Sequence, residues 1–185
     1  VRQTLGDRVS RLRIIPGNHD NRDGLVTAFP ESCCRVCDRV NFVIKQDSWR
    51  LIGLDSQIPG EVAGQLSDEQ LGWFREQLAE SGNRHVGVFV HHPPVEVGSL
   101  WLDAIGMRDA EALLSIVTEH PKIRFISSGH VHQEFRTEIG STTVLTTPAV
   151  GPQFRPGTDE IQIQLDAPPG FRVFDLADDG SFLTT

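Results

Sequence analysis

Three short motifs in this chain carry asparagine and histidine directly after an apolar run. Gly17-Asn18-His19-Asp20 follows residues 12–15, His91-His92-Pro93-Pro94 follows residues 86–90, and Gly129-His130-Val131-His132 follows residues 123–126. Five of the seven histidines fall in these motifs. In an α/β protein, ligand-type residues just past neighbouring strands lie where such sheets build their sites. Imidazole and amide oxygen together suit borderline transition ions such as manganese, iron or zinc. Such ions polarise phosphoryl oxygens and, in pairs, clamp the attacking and leaving oxygens of a displacement. Gly17 and Gly129 would let the backbone turn sharply after each strand. His130 and His132 are two apart, which on an extended segment puts both rings on one side. His85 and His120, beside charged residues or proline, read as ordinary loop residues. His92 is left between a substrate-facing or supporting role and packing. Asp55 reads as structural, closing a strand and its turn.

These motifs need elements to hold them. Val1, Leu5, Val9 and Leu12 form a helical stripe over residues 1–11, and residues 12–15 read as a strand. Residues 20–38 read as an irregular loop over the site. Residues 40–45 and 49–54 form a strand pair around Gln46-Asp47-Ser48. Ser67-Asp68-Glu69-Gln70 is a capping box, opening a helix with Leu71, Phe74 and Leu78 inside and ending by Gly82. Asp109 is placed to cap a second helix with Leu113, Leu114 and Val117 inside. Strands follow at residues 123–127 and 142–147. Residues 171–176 and 181–184 make a hairpin around Asp178-Asp179-Gly180. Trp49, Trp73 and Trp101 read as core or lid aromatics. The order predicts an α/β fold with two packed sheets and helices outside, in one domain spanning 1–185.

Composition narrows the function classes. A net charge of −8 argues against general nucleic-acid binding but leaves a small phosphate ester open, since bound cations reverse the local sign. No run approaches the ~20 apolar residues of a membrane span, and residues 1–13 carry no apolar signal core. Cys33, Cys34 and Cys37 are an odd number, which reads as reduced thiols in a cytoplasmic protein. Cys34-x-x-Cys37 has no second ligand pair nearby for zinc, so small buried hydrophobes are expected there.

Taken in order, the three histidine motifs resemble those of the calcineurin-like metallophosphoesterase family. Leu54-Asp55-Ser56, Gly64, Leu66, Gln70-Leu71, Gly98, Trp101-Leu102-Asp103, Thr147-Pro148, Gln153-Phe154, Pro156 and Pro169-Gly170-Phe171-Arg172 are similar to its class III cyclic-nucleotide phosphodiesterase branch. That resemblance implies a four-layer αββα sandwich and two divalent transition-metal ions, manganese, iron or zinc. Asn18, His91 and His130 would bind one metal and His132 the other. His19 would contact phosphate and assist the leaving oxygen. The implied reaction is in-line attack of a metal-bound hydroxide on a small phosphodiester, 3′,5′-cyclic AMP foremost. A glycerophosphodiester or general phosphodiester hydrolase, or a non-catalytic truncated remnant, are the alternatives.

The family pattern also begins with Asp-x-His and Gly-Asp, which supply a bridging carboxylate and most ligands of one metal. Neither is found in these residues. Gly6-Asp7 lies too close to Gly17, and Asp7 falls opposite the apolar stripe. The chain thus reads as the C-terminal two-thirds of the fold, with N-terminal strands missing and one metal position incomplete. An unpaired sheet edge would favour a homo-oligomer.

Overall fold

The computed structural model describes residues 2–36 and 38–185. Val1 of the first stripe and Cys37 of the Cys-x-x-Cys pair lie outside the described residues. A seven-stranded sheet dominates, built from β1 (Cys34–Val36), β2 (Arg39–Lys45), β3 (Trp49–Leu54), β4 (His85–Val90), β5 (Ile123–Ser128), β6 (Phe135–Ile139) and β7 (Thr142–Thr146). Their spatial order is β1-β2-β3-β4-β5-β7-β6. β3, β4, β5 and β7 run parallel, while β1, β2 and β6 are antiparallel to their neighbours. Parallel neighbours need long crossovers. Two of these carry the main helices, α3 (Asp68–Ala79) between β3 and β4, and α5 (Ala110–Glu119) between β4 and β5. The shorter helices are α1 (Arg2–Leu5), a 3-10 turn at Gly6–Arg11, α2 (Arg22–Ala28) and α4 (Leu100–Asp103).

Alternation along the strands divides the sheet's faces. Ile52, Leu54, Val86, Val88, Val90, Ile126 and Val144 meet Leu71, Phe74 and Leu78 of α3 and Leu113, Ile116 and Val117 of α5. At ~1.5–3 kcal/mol per buried aliphatic or aromatic side chain, this cluster is the main stabilising feature. The opposite face carries Phe89 and Phe125. Over it lies the hairpin β10 (Phe174–Leu176) with β11 (Phe182–Thr184), whose Phe174 stacks on Phe125 at 4.6 Å. Trp49 Nε1 donates to Ala177 O at 2.8 Å, pinning that hairpin to β3. The layers are therefore helix, large sheet and β-hairpin. A second small pair, β8 (Gln153–Phe154) with β9 (Ile163–Gln164), stands beside the site.

Several local expectations are corrected. Residues 12–15 pair with no strand among the described residues; Leu12 N donates to Val9 O at 3.0 Å and Ile14 N to Ser32 O at 3.2 Å. Residues 20–38 hold α2 and β1 rather than loop alone. Asn21 Oδ1 accepts from Gly24 N at 2.8 Å and so caps α2. The capping box is not made. Ser67 sits at φ +72° with no side-chain cap bond, and Gln70 Nε2 donates instead to Asn41 Oδ1 at 2.7 Å. Asp109 does not cap its own helix either; its carboxylate accepts from Leu66 N and Ser67 N, tying the start of α3 to α5. Of the thiols, Cys34 is exposed on β1 and Cys33 is half-buried, so the buried-hydrophobe expectation fails for both. Burial and the nearby Glu31 carboxylate push the Cys33 thiol pKa up.

Candidate metal centre

The site forms where parallel strands end flush. Leu54 of β3 pairs with Val90 of β4, and Val90 with Ser128 of β5. The residues that follow are therefore adjacent by register: Asp55-Ser56, His91-His92 and Gly129-His130. Gly129 N donates to His91 O at 3.1 Å, extending the ladder by one bond.

Three imidazoles meet there. Ring centroids lie 5.2 Å apart for His91–His130, 4.8 Å for His91–His92 and 4.5 Å for His92–His130. One ligand atom from each falls within 4.8 Å of the others. Their surroundings give them different capacities. His92 is fully buried; its Nδ1 is 2.8 Å from Ser56 Oγ, and its Nε2 is 2.9 Å from Val62 O. A carbonyl only accepts, so Nε2 carries the hydrogen and Nδ1 receives the Ser56 hydroxyl. Both nitrogens are engaged and the side chain is fully buried, an arrangement that fits the supporting role. A Cβ at Gly64 would lie 2.2 Å from the His92 ring, so only glycine leaves it room. His130 is also buried, but its Nε2 has no partner. A buried ring nitrogen without a partner costs stability unless something binds it.

Asn18 reaches the cluster from outside the sheet. Its Oδ1 is 2.9 Å from His91 Nε2, whose N–H donates to that oxygen in the metal-free chain and would give way to an ion there. Two atoms each ~2.1 Å from one ion would stand ~3 Å apart at an octahedral angle and ~3.4 Å at a tetrahedral one, so this pair could share a cation with little movement. Gly17 permits it by close approach rather than by turning. A Cβ there would lie 2.8 Å from His91 Cε1 and 3.0 Å from Nε2, and its φ is not in the left-handed region. Asp20 Oδ2 accepts from Gly17 N at 2.8 Å, closing the turn that holds Asn18 and exposed His19.

His130 and His132 are not on an extended segment, which overturns the same-side argument. Their φ values are +64° and +48°. Left-handed non-glycine residues cost on the order of 1–3 kcal/mol each and persist where surroundings impose them. The result sends His130 inward and His132 toward β8. The His132 ring stacks on Phe154 at 4.6 Å and 14°, and its Nδ1 donates to Pro152 O at 2.8 Å. Its Nε2 is thereby the lone-pair nitrogen.

Burial favours the neutral form of the His91, His92 and His130 rings, the form that ligates metal. Burial, reinforced by the neighbouring His92, His130, His132 and His19, lowers the His91 pKa to about 2. Burial, then His92, lowers that of His130 to about 3. His92 is lowered as well, by burial. Asp7 is exposed on the 3-10 turn, as its place opposite the stripe predicts. Asp55 is fully buried and paired with Arg22, which fits its structural reading. Beside the rings runs a groove of about 630 Å³, lined by Phe42, Leu51, Phe89, Phe171 and Phe174 and reaching His91, His130 and His132. Sequence reasoning missed Gln57, Arg22 and Phe154 as supports. Their signal was proximity in space, which no local pattern carries.

Residues 2–134 match the calcineurin-like phosphoesterase model, and the chain belongs to that family. It is 38% identical to the 3′,5′-cyclic adenosine monophosphate phosphodiesterase CpdA of Pseudomonas aeruginosa, over 94% of this chain and 61% of that protein. The glycerophosphodiester phosphodiesterase GpdQ of Enterobacter lignolyticus is 31% identical over 80% of this chain and 55% of that protein. The chain thus spans about three-fifths of the length of the curated relatives it matches. Among solved structures, a dimetal phosphatase from Danio rerio superposes with a TM-score of 0.63 at 18% identity, covering 74% of this chain and 60% of that one. That likeness places the fold in the metallophosphoesterase type. No helix among the described residues is long and apolar enough to cross a membrane.

Proposed function

We propose that this chain is the metal-holding part of a cytoplasmic phosphodiester hydrolase acting on a small substrate, 3′,5′-cyclic AMP foremost. The observation that carries it is the orphaned Nε2 of buried His130 beside the Asn18–His91 pair. Asn18 Oδ1, His91 and His130 would hold one divalent ion of the manganese, iron or zinc kind, and His132 Nε2 would serve a second. Bound ions of this class polarise a phosphoryl oxygen and lower the pKa of water. His19 stands exposed at the tip of the turn, beside Asn18. There its ring N–H can reach a phosphoryl oxygen or protonate the leaving oxygen. His92 orients its neighbours and touches no substrate. The name of the Pseudomonas relative supports cyclic AMP; that of the GpdQ relative favours glycerophosphodiesters as a second reading.

The test is a side-by-side assay of both substrates with the full natural polypeptide, with and without added Mn²⁺ or Zn²⁺. Metal-dependent hydrolysis of cyclic AMP, lost in His130→Ala, is expected. Preference for the glycerophosphodiester selects the second reading. Hydrolysis of neither contradicts the proposal.

A further inference from the structure

We propose that Asp55-Ser56-Gln57, the tripeptide following β3, positions the metal centre, and that Gln57 sets where Asn18 stands. Each residue reaches a different motif. Asp55 Oδ2 meets Arg22 Nε at 2.6 Å and its Oδ1 meets Arg22 Nη2 at 3.0 Å. The same carboxylate accepts from Val40 N and Gln57 N, both at 2.9 Å. Four donors satisfy it, so it acts as an anchor rather than a ligand. Arg22 lies on α2, immediately beyond the Gly17–Asp20 turn, so this pair fixes the turn's exit. Ser56 Oγ bonds His92 Nδ1 and accepts from His92 N at 3.3 Å, fixing the residue next to His91.

Gln57 holds the turn itself. Its backbone carbonyl accepts from Arg22 Nη2 and from Arg39 Nη1, the latter at 2.7 Å. Its side-chain Nε2 donates to Gly17 O at 3.0 Å and to Asp20 O. One buried amide thus spends both hydrogens on the carbonyls at the two ends of a four-residue turn, with Asn18 and His19 between them. The residue is 3% exposed, so no water competes. A carboxylate of equal size could not do this, because it offers lone pairs to two carbonyl oxygens. Groups that orient metal ligands typically change metal affinity 10- to 100-fold when removed.

This rests on Asn18 being a ligand, and the experiment separates the two. Gln57→Met and Gln57→Glu are made in the 185-residue chain. Hydrogen exchange of the Gly17 and Asp20 amides is measured without metal. Zn²⁺ affinity is measured in the wild-type and Asn18→Ala backgrounds. Exchange should accelerate about 10-fold or more in both variants. Zn²⁺ affinity should fall about 10-fold or more in the wild-type background and not fall further in Asn18→Ala. Unchanged exchange, or an equal affinity loss in both backgrounds, overturns the proposal. So does loss of cooperative melting in both variants, which would make Gln57 a folding residue. Wild-type affinity in Asn18→Ala alone would instead refute the ligand reading, while the exchange rates still decide whether Gln57 holds the turn.

Discussion

Two glycines flank the His91 ring, and the structure predicts opposite outcomes for the same substitution at each. In Gly17→Ala the new methyl would sit 2.8 Å from Cε1 and 3.0 Å from Nε2. Carbon atoms settle at about 3.5–4.0 Å, so ring or turn must yield by roughly 0.7 Å. The ring is backed by His92 and His130, and the turn is fastened at both ends by Gln57. Neither moves freely, and overpacking of this kind typically costs about 1–3 kcal/mol. Ligand positions matter to about 0.2 Å, so the shift also spoils the Asn18–His91 spacing. In Gly129→Ala the methyl approaches the ring no closer than 3.4 Å, an ordinary contact. Thermal melting without metal, and calorimetric titration with Zn²⁺, read the two effects separately. Gly17→Ala should melt several degrees lower and bind Zn²⁺ at least about 10-fold more weakly, while Gly129→Ala stays near wild type. Equal behaviour of the two, or the reverse order, would refute the close-approach argument.

Acid should destabilise the metal-free chain through His91 and His130. Their folded pKa values, about 2 and about 3, lie below the ordinary 6.5. The unfolded chain therefore takes up protons that the fold refuses, and stability present above pH 6.5 falls as pH drops below it. The slope approaches about 1.4 kcal/mol per pH unit for each ring. Denaturant titrations from pH 7 to 4.5 check this, and imidazole resonances of either residue titrating near 6.5 would contradict it. His19→Ala in the full natural polypeptide should lower kcat by ~10²-fold with bound metal nearly unchanged; metal loss like that of His130→Ala would reassign it as a ligand. The exposed side chains of Val150 and Phe171, lining an apolar groove, predict concentration-dependent association of the 185-residue chain. Sedimentation velocity should show it, weakened in Phe171→Asp; a monomer at all concentrations rules it out.

The sequence was most readable where periodicity was strong. Helices α3 and α5 bury one face each, and the apolar runs that become β3, β4, β5 and β7 are mostly buried, so their positions follow from local pattern. α2 was illegible because it buries no residue and so has no stripe. Residues 12–15 have a strand's composition, but pairing depends on a partner, and local pattern names none. The cap residues misled for a related reason. Ser67, Gln70 and Asp109 have the right types, yet tertiary partners at Asn41 and Leu66 claim their hydrogen bonds. At the site, the nearness of His91 and His130 followed from two strand-end motifs, while Asn18 follows a segment that is no strand and was marked only by its own motif. What separates His130 from His92 did not: one ring has a free nitrogen and the other has none, a matter of Ser56 and Val62 lying close in space. The left-handed turns at His130 and His132 were equally hidden, since histidine spacing says nothing of φ.

The central claim is that Asn18, His91 and His130 hold a cation while His92 only supports them. Long-range ¹H–¹⁵N spectra of the histidine rings during Zn²⁺ titration test it most directly. The account predicts that the Nε2 resonance of His130 and the ring nitrogens of His91 shift with the first ion bound, and that His92 keeps its Nε2–H tautomer throughout. A shift at both His92 nitrogens with His130 unmoved, or saturating Zn²⁺ that perturbs none of the three rings, would contradict it.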